Sequence, residues 1–203
     1  MNKELLGHIK KRRSVRSYRN EPIERETIEQ IIQVGSYAPS AKNTQPWRFI
    51  VITNPDVISE LSNDVKNEIK KLLKWRFIHR FVHHELRNQE TLRFLYGVSL
   101  VKEDSIFFKA PVVVFIVTKD KRFYDESCAC CAENMMLAAH ALGIGSCWIG
   151  LAHFIGLNKR LIERIGVPPN HHIASVLIFG YPQEPIAKPS IRKPCSGIIR
   201  WTD

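Results

Sequence analysis

The chain has 203 residues, 44% hydrophobic and 25% charged, with a formal net charge of +10, a length and balance that suit one soluble domain with a sizeable core and exclude a disordered or fibrous chain. No apolar run approaches the ~20 residues that cross a bilayer. The start Met1-Asn-Lys-Glu-Leu-Leu6 carries charges where a leader would be apolar, so a cytoplasmic protein is expected.

Residues 3–12 predict a short helix. Residues 27–37 predict a second, with Ile28, Ile31, Ile32 and Gly35 on one face. A polar loop at 38–46 leads into a strand at 47–53. Asn54-Pro55 then reads as a helix start, an N-cap side chain followed by proline in the first turn. The helix it opens places Val57, Ile58, Leu61, Val65, Ile69, Leu72 and Leu73 at amphipathic spacing. Lys66, Lys70 and Lys74 fall at helical spacing and read as part of its solvated face. Residues 75–107 mix Trp75, Phe77, Phe81, Phe94 and Tyr96 with many basic groups and are expected to be largely helical. Residues 111–118 form a near-continuous apolar strand, expected at the centre of a sheet and covered on both sides. Residues 124–142 predict a long helix closed by Gly143. A short strand or turn surrounds Cys147-Trp148. A helix at 157–165 is stopped by Gly166 and Pro168, and a buried strand spans 172–179. The tail carries Arg192-Lys-Pro194 and a strand-like end at 197–201. No repeat or linker interrupts the chain, so residues 1–203 read as one α/β domain.

The positive charge asks for an anionic partner: nucleic acid, a membrane surface or a phosphorylated small molecule. Basic residues gather at 10–19, 66–93 and 188–193. Aromatic-interleaved RNA-binding patterns and zinc-finger spacing are absent from the sequence. A basic nucleic-acid-binding protein without redox activity is therefore the alternative reading, not the first. The five cysteines are an odd count for a disulfide framework. Cys128 and Cys131 share a helix face while Cys130 points elsewhere, so the cluster reads as core packing and not as a metal site. His83-His84 and His171-His172 are adjacent pairs, which rarely aim at one metal. G-x-G-x-x-G, P-loop and G-x-S-x-G patterns are also missing.

Two stretches carry most of the chemistry. Lys11-Arg-Arg-Ser-Val-Arg16 offers guanidinium groups, and Ala38-Pro-Ser-Ala-Lys-Asn-Thr-Gln-Pro-Trp47 offers hydroxyls, amides and free backbone donors. Together they suit a phosphorylated, planar, hydrogen-bonding ligand. A flavin mononucleotide is such a ligand. Its phosphate needs Arg or Lys forks, and a cation beside the N1/O2 edge of its ring favours reduction. Arg12 and Arg16 can serve those two ends, with Ser14 between them.

These stretches resemble the two N-terminal motifs of the FMN-dependent nitroreductase family. Glu133-Asn-Met-Met-Leu-Ala-Ala139 with Gly143-Ile-Gly-Ser-Cys-Trp-Ile-Gly150 is similar to the family's central helix and flavin-edge turn. Gly180-Tyr-Pro182 and Arg192-Lys-Pro194 are similar to its C-terminal end. The resemblance implies an α/β (α+β) fold with a central mixed or antiparallel sheet flanked by helices, and a C-terminal strand exchanged within a homodimer. It implies that Arg12, Arg13, Ser14 and Arg16 bind FMN from one subunit, and that Pro39, Ser40, Ala41 and Asn43 reach it from the other. Trp148, Ile149 and Gly150 would lie along the ring, and Arg192 and Lys193 would complete the phosphate site. No metal and no membrane partner are implied. The activity implied is ping-pong hydride transfer from NADH or NADPH through FMN to a nitroaromatic, quinone or similar small acceptor, without a catalytic acid or base. Segment 75–107 departs from the family pattern and reads as a helical lid or insert. Asn67, Lys70 and Lys71 are the candidates for one further polar contact to the ring.

Overall fold

Strand β2 (Val112–Lys119) is buried along all but its last residue. It pairs antiparallel on one side with β1 (Arg48–Ile52) and on the other with β4 (His171–Gly180), and β4 pairs antiparallel with β3 (Gly145–Trp148), giving the order β1-β2-β4-β3. The molecule is seen in a computed structural model that describes residues 3–75 and 84–185. The tail strand expected at 197–201 lies outside the described residues, as do Arg192 and Lys193.

The alternation of β2 builds two cores. Val113, Phe115 and Val117 face one, with Val176 and Ile178 of β4. Val112, Val114 and Ile116 face the other, with Leu177 and Phe179. An apolar residue at every position is what a strand covered on both faces requires. The first core is closed by α3 (Pro55–Lys74), the 3-10 segment Gly150–Leu157 and α6 (Lys159–Arg164). The second is closed by α2 (Arg25–Gly35) and α5 (Tyr124–Ala141). The result is a sheet between two helical layers, and the helix α1 (Lys3–Lys11) touches α5.

Local signals explain most boundaries. Asn54 Oδ1 accepts from the backbone N–H of Asp56 at 2.9 Å and of Val57 at 3.3 Å, and so caps α3. Gly143 stands in the left-handed region, with φ 75°, just after α5. Gly35 lets α2 and α5 approach closely, because a Cβ there would sit 2.3 Å from Met135 Cγ. Cys128 and Cys131 are buried and Cys130 is exposed, as their spacing predicts. Burial pushes the thiols up, Cys128 to about 11 and Cys131 to about 12.

Two features differ from the sequence reading. Residues 150–157 form a 3-10 segment, so the helix expected from 157 begins at Lys159. Lys66 is not on the solvated face of α3; it is only 4% exposed, while Lys70 and Lys74 are exposed. Its ammonium donates to the carbonyls of Val101, at 3.1 Å, and of Glu103. Those carbonyls follow α4 (Gln89–Leu100), and satisfying them outweighs solvation of the charge. Segment 75–107 contributes to the core through Leu86, Leu95, Ile106 and Phe107. Trp75 and Phe94 remain 55% and 56% exposed, and Phe77 and Phe81 lie outside the described residues. No helix among the described residues is long and apolar enough to cross a membrane.

Replacing the cap of α3, Asn54→Ala, is expected to cost about 1 kcal/mol of stability. Urea unfolding checks this, as a lower midpoint at unchanged slope.

Candidate functional site

The basic segment after α1 is laid against the sheet. Val15 N–H donates to Ser146 O at 2.9 Å, which makes a parallel bridge between Ser14 and Ser146. Tyr18 bridges Pro182, and Gln183 N–H donates to Ser17 O at 3.1 Å. Gly145 permits this approach, since a Cβ there would meet Val15 Cβ at 2.9 Å. The sheet thus gains one parallel neighbour beside its antiparallel strands.

This docking places guanidinium groups where water reaches them poorly. The Arg12 side chain is 17% exposed, and its Nε lies 3.4 Å from Glu133 Oε1 on α5. Arg12 Nη1 is buried without a hydrogen-bond partner among the described residues, and so is Arg13 Nε. Arg13 Nη1 donates to Lys10 O at 2.9 Å and to Arg12 O. A solvated helix end would leave neither nitrogen buried and idle. A buried donor without an acceptor costs about 1–3 kcal/mol, more when charged, so the two nitrogens fit an anion that brings its own oxygens. Arg16 is exposed, with its guanidinium carbon 5.9 Å from the centre of the Phe108 ring. Burial raises the Cys147 thiol, opposed by Arg16, a hydrogen bond with Ser14, and Arg12. Arg12, Ser14 and Arg16 therefore all surround β3.

The end of β3 supplies the next surface. Trp148 is 37% exposed, so it is not plain core packing. Ile149 is buried and donates its N–H to Val176 O at 2.8 Å, and Gly150 is exposed. These three, with His153, Phe154 and residues 173–176, line a cavity of about 320 Å³.

The loop with Pro39, Ser40, Ala41 and Asn43 is built by its own hydrogen bonds. Ser40 Oγ accepts from Gln45 N–H at 3.0 Å, Ser40 O from Asn43 N–H at 2.9 Å, and Asn43 Oδ1 from Gln45 Nε2 at 3.1 Å. Lys42, Asn43 and Gln45 hold left-handed φ values of 54°, 53° and 44°. Such residues cost about 1–3 kcal/mol each and collect where a loop must present its groups in a set way. Buried Ala38, Pro46 and Trp47 anchor it, and Thr118 Oγ1 donates to Pro46 O at 3.2 Å.

The predicted residues form two groups within one chain. Arg12, Arg13, Ser14 and Arg16 stand with Trp148, Ile149 and Gly150 around β3. The 39–43 loop meets α5 elsewhere: Ala41 N–H donates to Ser127 Oγ at 3.4 Å, whereas Arg12 pairs with Glu133. Positions 127 and 133 are roughly 9 Å apart along a helix axis. Of the α3 candidates, Asn67 and Lys70 are exposed, and Lys71 is paired with Glu68 at 2.7 Å. The sequence reading singled out neither Ser146, which receives the basic segment, nor Phe108, which lies under Arg16. Gly145 carried the signal for the first; for the second there was none.

His8 and His140 stack with ring centroids 4.5 Å apart, and His8 Nε2 donates to Leu137 O at 3.0 Å. Burial, then the charges of His8, Arg12, Arg13 and Lys11, hold His140 below the usual histidine range. These outweigh the C-terminal dipole of α5, which favours a cation there. Around pH 6.5 the folded state therefore binds fewer protons at His140 than the unfolded chain. The contribution is present above the unfolded value and is lost as pH falls through the lower folded one. Stability is expected to fall as the pH drops below about 7, with a shallower fall in His140→Gln, read from urea midpoints at successively lower pH.

The comparisons with known proteins bear on the family and the fold. The model of the Nitroreductase family matches residues 9–181. A candidate NADH dehydrogenase/NAD(P)H nitroreductase of Archaeoglobus fulgidus is 31% identical over 185 residues, covering 89% of this chain and 87% of the relative. The iodotyrosine deiodinase of Nematostella vectensis is 26% identical over 212 residues, covering 97% of this chain and 74% of the relative. A nitroreductase from Bacteroides fragilis, solved with bound FMN, superposes with a TM-score of 0.77 at 28% identity, covering 98% of this chain and 99% of that one. With a family model that matches residues 9–181 and an overall fold that superposes on a nitroreductase along nearly its whole length, the chain belongs to the nitroreductase family.

Proposed function

We propose that this protein is an FMN-dependent oxidoreductase that takes hydride from NADH or NADPH and delivers it to a nitroaromatic, quinone or similar small acceptor. The observation that carries the reading is the pair of buried guanidinium nitrogens on Arg12 and Arg13 that have no partner among the described residues. They sit in a family member whose Bacteroides fragilis relative was solved with FMN. Arg12 and Arg13 would hold the phosphate, with Arg192 and Lys193. Ser14 would bond the ribityl chain or a ring oxygen. Arg16 would stand near the pyrimidine edge, where a cation favours the reduced state. Trp148, Ile149 and Gly150 would form the surface along the ring. Bound FMN would supply the redox chemistry, accepting hydride from the nicotinamide and passing it to the acceptor that takes the nicotinamide's place. The side chains position and polarise, and none acts as an acid or base.

The separation of the 39–43 loop from the arginines along α5 favours a site completed by a second copy. Pro39, Ser40, Ala41 and Asn43 would then reach the cofactor of the other subunit, in a cytoplasmic homodimer with the C-terminal strand exchanged. Residues 1–203 would form one domain, with 75–107 as its insert.

The purified protein is expected to be yellow and to release FMN on denaturation, identified by mass spectrometry. FAD alone would reject the cofactor, and a colourless protein that binds DNA in a salt-dependent way would favour the alternative. Arg12→Ala removes a charge-assisted bond that contributes about 1.5–3 kcal/mol. The FMN dissociation constant should therefore rise about tenfold to a hundredfold, measured by flavin fluorescence. Sedimentation should give a dimer, and a stable flavin-loaded monomer would exclude the shared site.

A further inference from the structure

Phe108 and Lys109 adopt left-handed φ values of 56° and 54° in succession. For a bulky residue such as phenylalanine this is a costly conformation. Neither residue is at a helix end or in a hairpin turn; they lie between α4 and β2. The turn is closed by Ala110 N–H, which donates to Phe107 O at 3.0 Å, and is fastened by one carboxylate. Asp104 Oδ1 accepts from Ile106 N–H at 3.0 Å and Phe107 N–H at 2.9 Å, and Asp104 Oδ2 accepts from Lys109 N–H at 2.9 Å. Ser62 of α3 donates its hydroxyl to Oδ1 at 2.5 Å. The neighbours Ile106 and Phe107 are fully buried, so the turn is fastened at both its backbone and its base.

What this clamp achieves is visible at Phe108. Its ring is only partly buried, packs on the core below, and lies under the Arg16 guanidinium at 5.9 Å. Arg16 makes no hydrogen bond or ion pair that would otherwise orient so long a side chain among the described residues. A guanidinium over an aromatic face is attracted by the ring quadrupole, more strongly once water is excluded. A core-filling role alone explains neither the two strained residues nor a partly exposed ring turned toward a cation.

We propose that Phe108, held by the Asp104 clamp, is a positioning residue for Arg16 and so tunes the redox potential of the bound flavin. This rests on the reading of Arg16 as the cation beside the flavin's pyrimidine edge. An orienting platform keeps the charge in one place through the redox cycle, so that it favours the reduced ring without reorganising.

The test is the two-electron midpoint potential of FMN in the loaded protein. Arg16→Gln is the reference and should lower the potential. Phe108→Met keeps apolar volume but removes the ring face. It should lower the potential in the same direction, by about fivefold in the affinity for reduced relative to oxidised FMN, about 20 mV. Phe108→Tyr should restore the wild-type value. Asp104→Asn places an N–H against that of Lys109 and should shift the potential as Phe108→Met does. The double variant Arg16→Gln/Phe108→Met should match Arg16→Gln alone, since a residue acting through another adds nothing once that other is gone. A full extra shift in the double variant, or a wild-type potential in Phe108→Met beside a lowered one in Arg16→Gln, overturns the proposal while leaving Arg16 beside the flavin. An unchanged potential in Arg16→Gln overturns the placement of Arg16 and the proposal with it.

Discussion

Burial of β2 on both faces is the constraint on which the rest of the structure depends. Seven of its eight residues are inaccessible, and an apolar strand of that kind must be covered twice. The chain meets the demand with α3, α6 and the 3-10 segment on one side and with α2 and α5 on the other. Once both layers are in place, little freedom remains for the segments between them. The loop at 38–46 must run from α2 to β1, and the basic stretch at 12–18 must follow the edge made by β3 and the end of β4. The candidate site is a consequence of how the two layers close.

Charge is handled differently in the core and at the site. Lys66 is buried, yet its ammonium meets two backbone carbonyls, so its desolvation is offset by hydrogen bonds. Asp104 is similar, with three backbone N–H groups and a hydroxyl around it. Arg12 and Arg13 each keep a buried nitrogen without a partner among the described residues, despite Glu133 nearby. A fold that satisfies Lys66 and Asp104 so fully has no structural need for idle guanidinium groups, which is why a ligand is the economical explanation of them.

Left-handed non-glycine residues gather at Lys42, Asn43 and Gln45 and at Phe108 and Lys109, and occur singly at Phe123, which precedes α5, and at Asn170. The two gatherings are fastened by side chains. The first group is held by Ser40 and Asn43, the second by Asp104. In both places a short polar side chain holds the backbone where a larger group is presented outward.

Much of this was legible in the sequence. Apolar periodicity located the helices and the two central strands, because burial in a layered fold imposes periods of about 3.6 and 2 directly on the residues. Asn54-Pro55 and Gly143 marked ends through local backbone chemistry. The motifs around Arg12 and Pro39 pointed to the family that the match over residues 9–181 shows. What the sequence could not decide was contact at long range. Lys66 shares its spacing with exposed Lys70 and Lys74, and only the carbonyls of Val101 and Glu103, brought across from the end of α4, make it a buried residue. Phe108 under Arg16 and Arg12 beside Glu133 likewise join positions far apart in the chain. Periodicity and capping act within a few residues, whereas the partners of a buried charge are chosen by the packing of layers, and that only the tertiary structure decided.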